Sequence, residues 1–252
     1  MTDLFDGALR VMDEAFATLV SKVPSPQLVS TPKGSFYRYA EQTAHQAIIQ
    51  KLARYVSSLR AARLLHKNGF VQEQAALQRT LDEFREDVEF LALALWSGKL
   101  ETVHEDYLRF FYQEEFDNLE EPLQSSQRRP TVPRRKIHAY IVRATAAANP
   151  DPSLAARAFR SVSKAYSGFV HGASPHIMDM CIGVPPRFHL QGMLGTPRID
   201  EAFQDLWNYF YRGLLVFAFA AAAFDDNGLF ESIRRFASSF AARSGRDYLG
   251  SV

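Results

Sequence analysis

The side chains with the most chemical potential lie in one segment, Arg160 to Arg198 (RSVSKAYSGFVHGASPHIMDMCIGVPPRFHLQGMLGTPR). Arg160, Lys164, Ser167 and His171 recur at i, i+4, i+7 and i+11. On a helix this places them within about 60° of one another. Ala155, Phe159, Val162, Tyr166, Phe169 and Val170 fall on the opposite, core side. The result is a basic and hydroxyl stripe that ends in a histidine at a helix C-terminus, where the dipole favours the imidazolium. A histidine beside two cations can move a proton next to a phosphate. His171, Lys164 and Arg160 are therefore the candidate catalytic residues, with Ser167, His176, Arg187 and Arg198 as candidate substrate contacts. The bland alternative is a solvated helix face with a histidine cap.

His171, His176, Asp179, Cys181 and His189 are all possible metal ligands. His171 and His176 are five apart with Pro175 between them, which is not the helical pair of zinc proteases, and no CxxC or HExxH occurs. No metal site and no cofactor is expected. Cys181 sits among Ile177, Met180 and Ile182, a setting that raises a thiol pKa and disfavours a nucleophile. The glycines match neither GxGxxG nor GxxxxGK[ST], so they read as turn positions, not a phosphate loop.

The elements holding these residues read as helices throughout. Phe5, Ala8, Leu9, Met12, Phe16, Leu19, Val20 and Val23 give a helix over residues 1–23, closed by Pro24 and Pro26. After a loop through Thr31-Pro32-Lys33-Gly34, a stripe of Ala40, Ala44, Ile48, Leu52, Tyr55, Leu59 and Ala62 predicts one helix from Phe36 to Lys67. At 1.5 Å per residue it would be roughly 48 Å long. Asn68-Gly69 stops it. Leu77, Leu81, Phe84, Val88, Leu91 and Leu95 form a heptad-like seam over Val71–Trp96, which makes the two helices an antiparallel hairpin. An aromatic and acidic helix is expected from Leu100 to Leu119.

Residues 122–134 then read as an exposed linker; Arg128, Arg129, Arg134, Arg135 and Lys136 lie in or flank it, a cluster able to touch phosphates or, on the bland reading, a solvated basic loop. A short helix from Arg135 to Ala148 ends at Asn149-Pro150, and Asp151 or Ser153 caps the helix that carries the stripe. Residues 172–197 form a long ordered loop. Its Ile177, Met178, Met180, Ile182, Phe188, Leu190, Met193 and Leu194 must cover the bundle, a second subunit or a ligand. Thr196 or Asp200 caps the next helix, which becomes apolar on every face by Ala223 and so belongs at the centre. Asp225-Asp226-Asn227-Gly228 ends it, and an amphipathic helix on Leu229, Phe230, Ile233, Phe236 and Phe240 closes the chain. With no repeat and no strand-period stretch, residues 1–252 are expected to form a single all-α helical bundle.

The charge balance, 29 Lys and Arg against 28 Asp and Glu, leaves no global field to select nucleic acid or membrane. The most apolar run, Leu214–Phe224, is about half of what spans a bilayer. The single cysteine excludes an intrachain disulfide and favours a cytoplasmic setting, and acids interrupt the N-terminus where a secretory signal would be apolar.

Long antiparallel helices followed by a helix with a basic residue, a short spacer and a histidine resemble the HEPN superfamily. Its members are small all-α domains of toxins, RNA-cleaving enzymes and phage-defence proteins. The family pattern is Arg, four to six residues, then His. Here that spacing falls on Lys164 and His171, with Arg160 one turn back, so Lys stands where the family has the bidentate guanidinium. The resemblance implies a homodimer that brings two His171 side chains together, with RNA or a nucleotide as ligand and metal-independent cleavage or its binding-only remnant. The alternative is a non-enzymatic interaction module that dimerises or docks a partner through residues 172–197.

Overall fold

A computed structural model describes residues 2–31, 34–118, 120–126, 128, 130–148 and 151–245. Pro32, Lys33, Leu119, Arg129, Asn149 and Pro150 of the reading above lie outside the described residues, as do the side chains of Ala155 and Arg160. The chain is an α-helical bundle. Its elements are α1 (Thr2–Val20), β1 (Gln27–Thr31), β2 (Gly34–Arg38), α2 (Ala44–Lys67), α3 (Val71–Trp96), α4 (Thr102–Tyr112), α5 (Arg134–Ala144), α6 (Pro152–Val170), α7 (Ser174–Met178), β3 (Cys181–Ile182), β4 (Arg187–Phe188), α8 (Arg198–Ala223) and α9 (Asn227–Arg243).

The α2–α3 hairpin is the scaffold, and α8 packs along α3 and α2 as the central helix. α1 and α9 cover one side of α8, while α5 and α6 lie on α3. Ala44, Ile48, Leu52, Tyr55, Leu59 and Ala62 are all buried, as are Leu81, Val88 and Leu91 of the α3 seam. Gly213 lets α8 close on its neighbours: a Cβ there would stand 2.8 Å from Tyr55 and 3.0 Å from Met12. Burying each of the leucine, isoleucine and valine side chains among these buried residues stabilises the fold by about 1.5–3 kcal/mol. Among the described residues, no helix is long and apolar enough to cross a membrane.

Three expectations need correction. The helix over 36–67 begins only at Ala44, and residues 27–38 form an antiparallel hairpin with Val29 opposite Phe36 and Leu28 opposite Tyr37. Thr43 takes extended dihedrals at the N-cap, and the β-favouring Val29, Thr31, Phe36 and Tyr37 meet across a turn where Gly34 has φ 128°. The α4 helix stops at Tyr112. Arg134 is no solvated linker residue: it opens α5 and reaches Asp87 Oδ1 at 2.6 Å. Asp151 is the cap of α6, its Oδ1 accepting from the Ser153 and Leu154 amides at 3.0 Å.

Candidate functional site

The predicted wheel of α6 meets the bundle largely as expected. Tyr166 stands edge-on to Tyr209 of α8, with centroids 5.9 Å apart, and Phe159 stacks on His138 of α5 at 4.7 Å. Val170 departs from the expected core side and is 49% exposed. On the far face Lys164 and His171 are exposed and Ser167 is half-buried. His171 is the C-cap of α6, its amide donating to Ser167 O at 3.1 Å. The stripe therefore ends in an imidazole at the negative helix terminus, with Lys164 and Ser167 on the same face.

Residues 172–197 leave Lys164 and His171 of that stripe exposed. They run to the α2–α3 turn and clasp it. Gln72 Nε2 donates to His176 O at 2.7 Å, and the Met193 amide donates to Gly69 O, also at 2.7 Å. Arg198 ties the end of the segment to Asp179 at 2.6 Å and to Glu201 at 2.7 Å. The segment is not without regular structure: α7 and the two-residue β3–β4 ladder organise it, and the His189 amide donates to Met180 O at 3.0 Å.

This anchoring buries Met193, which is 1% exposed, and half-buries Met180 and Ile182. It leaves Ile177, Met178, Phe188, Leu190 and Leu194 outward, from 44% exposed at Ile177 to 76% at Leu190. A backbone pinned at both ends thus presents apolar side chains to solvent. Val170 and Ile177 bring this apolar face up to His171. A Cβ on the intervening Gly172 would lie 3.6 Å from Ile177 Cδ1.

The other expected contacts take different positions. His176 turns inward: its ring lies over Gly168, packs edge-on to Phe169 at 4.4 Å, and holds Nε2 3.2 Å from Ala165 O. It anchors α7 to α6 instead of facing a ligand. Arg198 is occupied by its two carboxylates, and Arg187 is exposed on β4. Among the described residues, no group of three His, Cys, Asp or Glu side chains is arranged to hold a metal ion.

A second polar centre involves none of the candidate residues of α6 or the 172–197 segment. It lies under α6, where α3 meets α5 and α8. Asp82 accepts from Tyr209 Oη at 2.7 Å and Arg212 Nη1 at 3.1 Å. Glu86 Oε2 is 2.9 Å from His138 Nε2, and Glu89 pairs with Arg85 at 2.7 Å. Asp87 lies between Lys51 at 2.7 Å and Arg134 at 2.6 Å, and the Lys51 ammonium also sits over the rings of Phe84 and Phe111. All four carboxylates are buried.

Burial pushes the Asp82 carboxyl above its ordinary value of 3.8, a rise that Tyr209 and Arg212 only partly counter. Burial likewise raises Glu89 despite Arg85, and it raises the Tyr209 phenol, to which the Asp82 charge adds. Here Asp82, Arg85, Glu86, Glu89, Phe159 and Arg212 line a cavity of about 360 Å³. The signal in the sequence is the run Asp82 to Glu89, dense in charge on a helix whose other residues form an apolar seam. Because cations from four other positions match these acids, the centre acts first as a buried ionic framework.

No protein-family model matches the chain, and no curated protein or solved structure is significantly similar to it.

Proposed function

We propose that this chain is an RNA-engaging helical protein of HEPN type that works as a homodimer in a reducing, cytoplasmic setting. Lys164 and Ser167 contact phosphate, and His171 acts as the acid–base group. The observation that carries this reading is the junction at His171. The polar stripe of α6 ends there against the exposed Val170, Ile177 and Met178. A second copy seated on that apolar face would remove it from water and set two His171 side chains near one two-fold axis. Isologous pairing of this kind is the commonest oligomer symmetry. The single cysteine supports the reducing setting.

Incubating wild type and His171→Ala with single-stranded and structured RNA in EDTA tests the chemistry. Cleavage by the wild type that His171→Ala loses supports it, and cleavage that is absent, or equal in both, removes His171 as a catalyst. Light scattering on Met178→Asp beside the wild type tests the pairing, for which a dimer that becomes a monomer is expected. If the pairing holds and RNA is neither bound nor cut, the chain is an interaction module that uses the 170–194 face alone.

A further inference from the structure

The seam between α1 and α2 carries a two-lobed groove that reaches Leu194 of the 172–197 segment. One lobe, about 410 Å³, is cationic: Arg10 of α1 and Arg60, Arg63 and Lys67 of α2 line it beside Asp6 and Asp13. Arg63 Nη2 holds Asp6 Oδ2 at 3.0 Å, and Arg60 Nη2 holds Asp13 Oδ2 at 2.6 Å. Arg10 and Lys67 are exposed and make no ion pair among the described residues. The second lobe, about 270 Å³, is apolar, with Phe5, Leu194, Ile199, Phe203 and Leu206 as walls. Arg63 and Lys67 line both lobes, so the cations stand at the mouth of the apolar one.

Two polar groups near that mouth, His66 and Asp6, are engaged within the protein. His66 gives its Nδ1 to Gln74 Oε1 at 3.2 Å and packs its ring on Phe203 at 5.6 Å. Burial lowers its pKa, so it adds no charge near neutrality. The Asp6 carboxyl is held below its usual range, first by the Arg63 hydrogen bond and then by the fields of Arg63, Lys67 and Arg10, the mark of a positive lobe. Leu64 and Leu194, both at least 60% exposed, rim the groove with apolar surface. The two lobes together reach the size of ordinary small-molecule sites, roughly 300–1,000 Å³.

We infer that this groove binds an amphipathic organic anion, with a hydrocarbon body against Phe5, Phe203 and Leu194 and a phosphate or carboxylate head held by Lys67 and Arg10. Each half supplies what the other lacks. Apart from His66 and the cations, the side chains of the second lobe offer no hydrogen bonds to a heterocycle's polar edge, and in the first lobe the lining cations outnumber the lining carboxylates. Because Leu194 belongs to the clasping segment, an occupied groove would also brace that segment.

Calorimetric titration of the full chain with octyl phosphate and octanoate, each below its micelle concentration, tests this. Octanol and inorganic phosphate serve as body-only and head-only controls. One or both anions should bind saturably, at least about tenfold more tightly than either control, and the tighter of the two identifies the head. Shortening octyl to hexyl should weaken binding by about fourfold per CH₂ at full burial. Lys67→Glu and Leu194→Asp, both at exposed positions, should each weaken binding by about tenfold or more while circular dichroism stays unchanged. The inference is overturned if neither anion saturates, if octanol binds as well as the anions, or if both folded variants bind like the wild type.

Discussion

The amide of Met193 donates to the carbonyl of Gly69 at 2.7 Å, so the turn joining the two scaffold helices is also the floor on which the 172–197 segment rests. Both sides of that contact need a missing side chain. Gly69 has φ 79°, and a Cβ there would stand 2.7 Å from the amide nitrogens of Met193 and Leu194. Gly192 has φ 99°, and its Cβ would stand 2.4 Å from Asn68 O.

Gly69→Ala should therefore break the clasp as well as strain the turn. The left-handed conformation alone costs about 1–2 kcal/mol for a residue with a Cβ. Hydrogen exchange should show faster exchange across residues 190–196, with the α3 and α8 core still protected. Unchanged exchange at the Met193 amide would contradict the anchoring.

At the other end of the segment the imidazole of His176 occupies the place of a side chain on residue 168, since a Cβ on Gly168 would fall 2.1 Å from its Cε1. Gly168→Ala should expel the ring and free α7. The double variant Gly168→Ala/His176→Ala should be less destabilised than the two single effects summed, with a coupling of about 0.5–3 kcal/mol, the range for residues in contact. Additive unfolding energies would mean the ring does not hold α7.

The long helices were legible because their apolar stripes are long. Ala44 to Ala62 and Leu81 to Leu91 point inward over several turns, and no local alternative competes with that period. The hairpin at 27–38 was not legible. Its strands are five residues each and lie almost wholly exposed, so no buried alternation marks them, and Phe36 and Ala40 extend the helical stripe of α2 by coincidence of spacing.

The Lys164–His171 face was legible for the same reason as the helices. The fate of the loop was not: composition says that Met193 and Leu194 need cover, but only the tertiary path decides that one reaches Gly69 and the other rims a groove. The ionic framework was hidden because the partners of Asp82, Glu86 and Asp87 come from Lys51, Arg134, His138 and Arg212, on three other helices.

Gly213→Ala tests the helix crossing at the centre of the bundle. Its Cβ would stand 2.8 Å from Tyr55 Cε1 and 3.0 Å from Met12 Cε, and Tyr55 is fixed by its hydroxyl donating to Tyr209 O at 2.9 Å. Overpacking of this kind costs about 1–3 kcal/mol. Denaturant unfolding should lose that much stability with an unchanged m-value, and a neutral result would show that α8 can shift away from α2.

Asp82 gives the framework a pH signature whose sign follows from its burial. Its pKa in the folded state lies above the ordinary 3.8, so the native protein holds that proton at pH values where the unfolded chain has released it. The stability it contributes is full below about pH 3.8 and is lost as pH rises through the raised value, because folding then requires a buried carboxylate. Asp82→Asn removes the titration and keeps the shape. The stability of wild type relative to Asp82→Asn should therefore fall as pH rises from the acid side towards neutrality, measured by urea unfolding across that range. Tyr209→Phe, which takes away the 2.7 Å hydrogen bond, should cost about 1–3 kcal/mol near neutrality and steepen the decline, since the carboxylate loses the donor that stabilises its charged form. A difference between wild type and Asp82→Asn that is flat with pH, or that grows in favour of wild type as pH rises, would mean that Arg212 and Tyr209 fully offset the burial of Asp82.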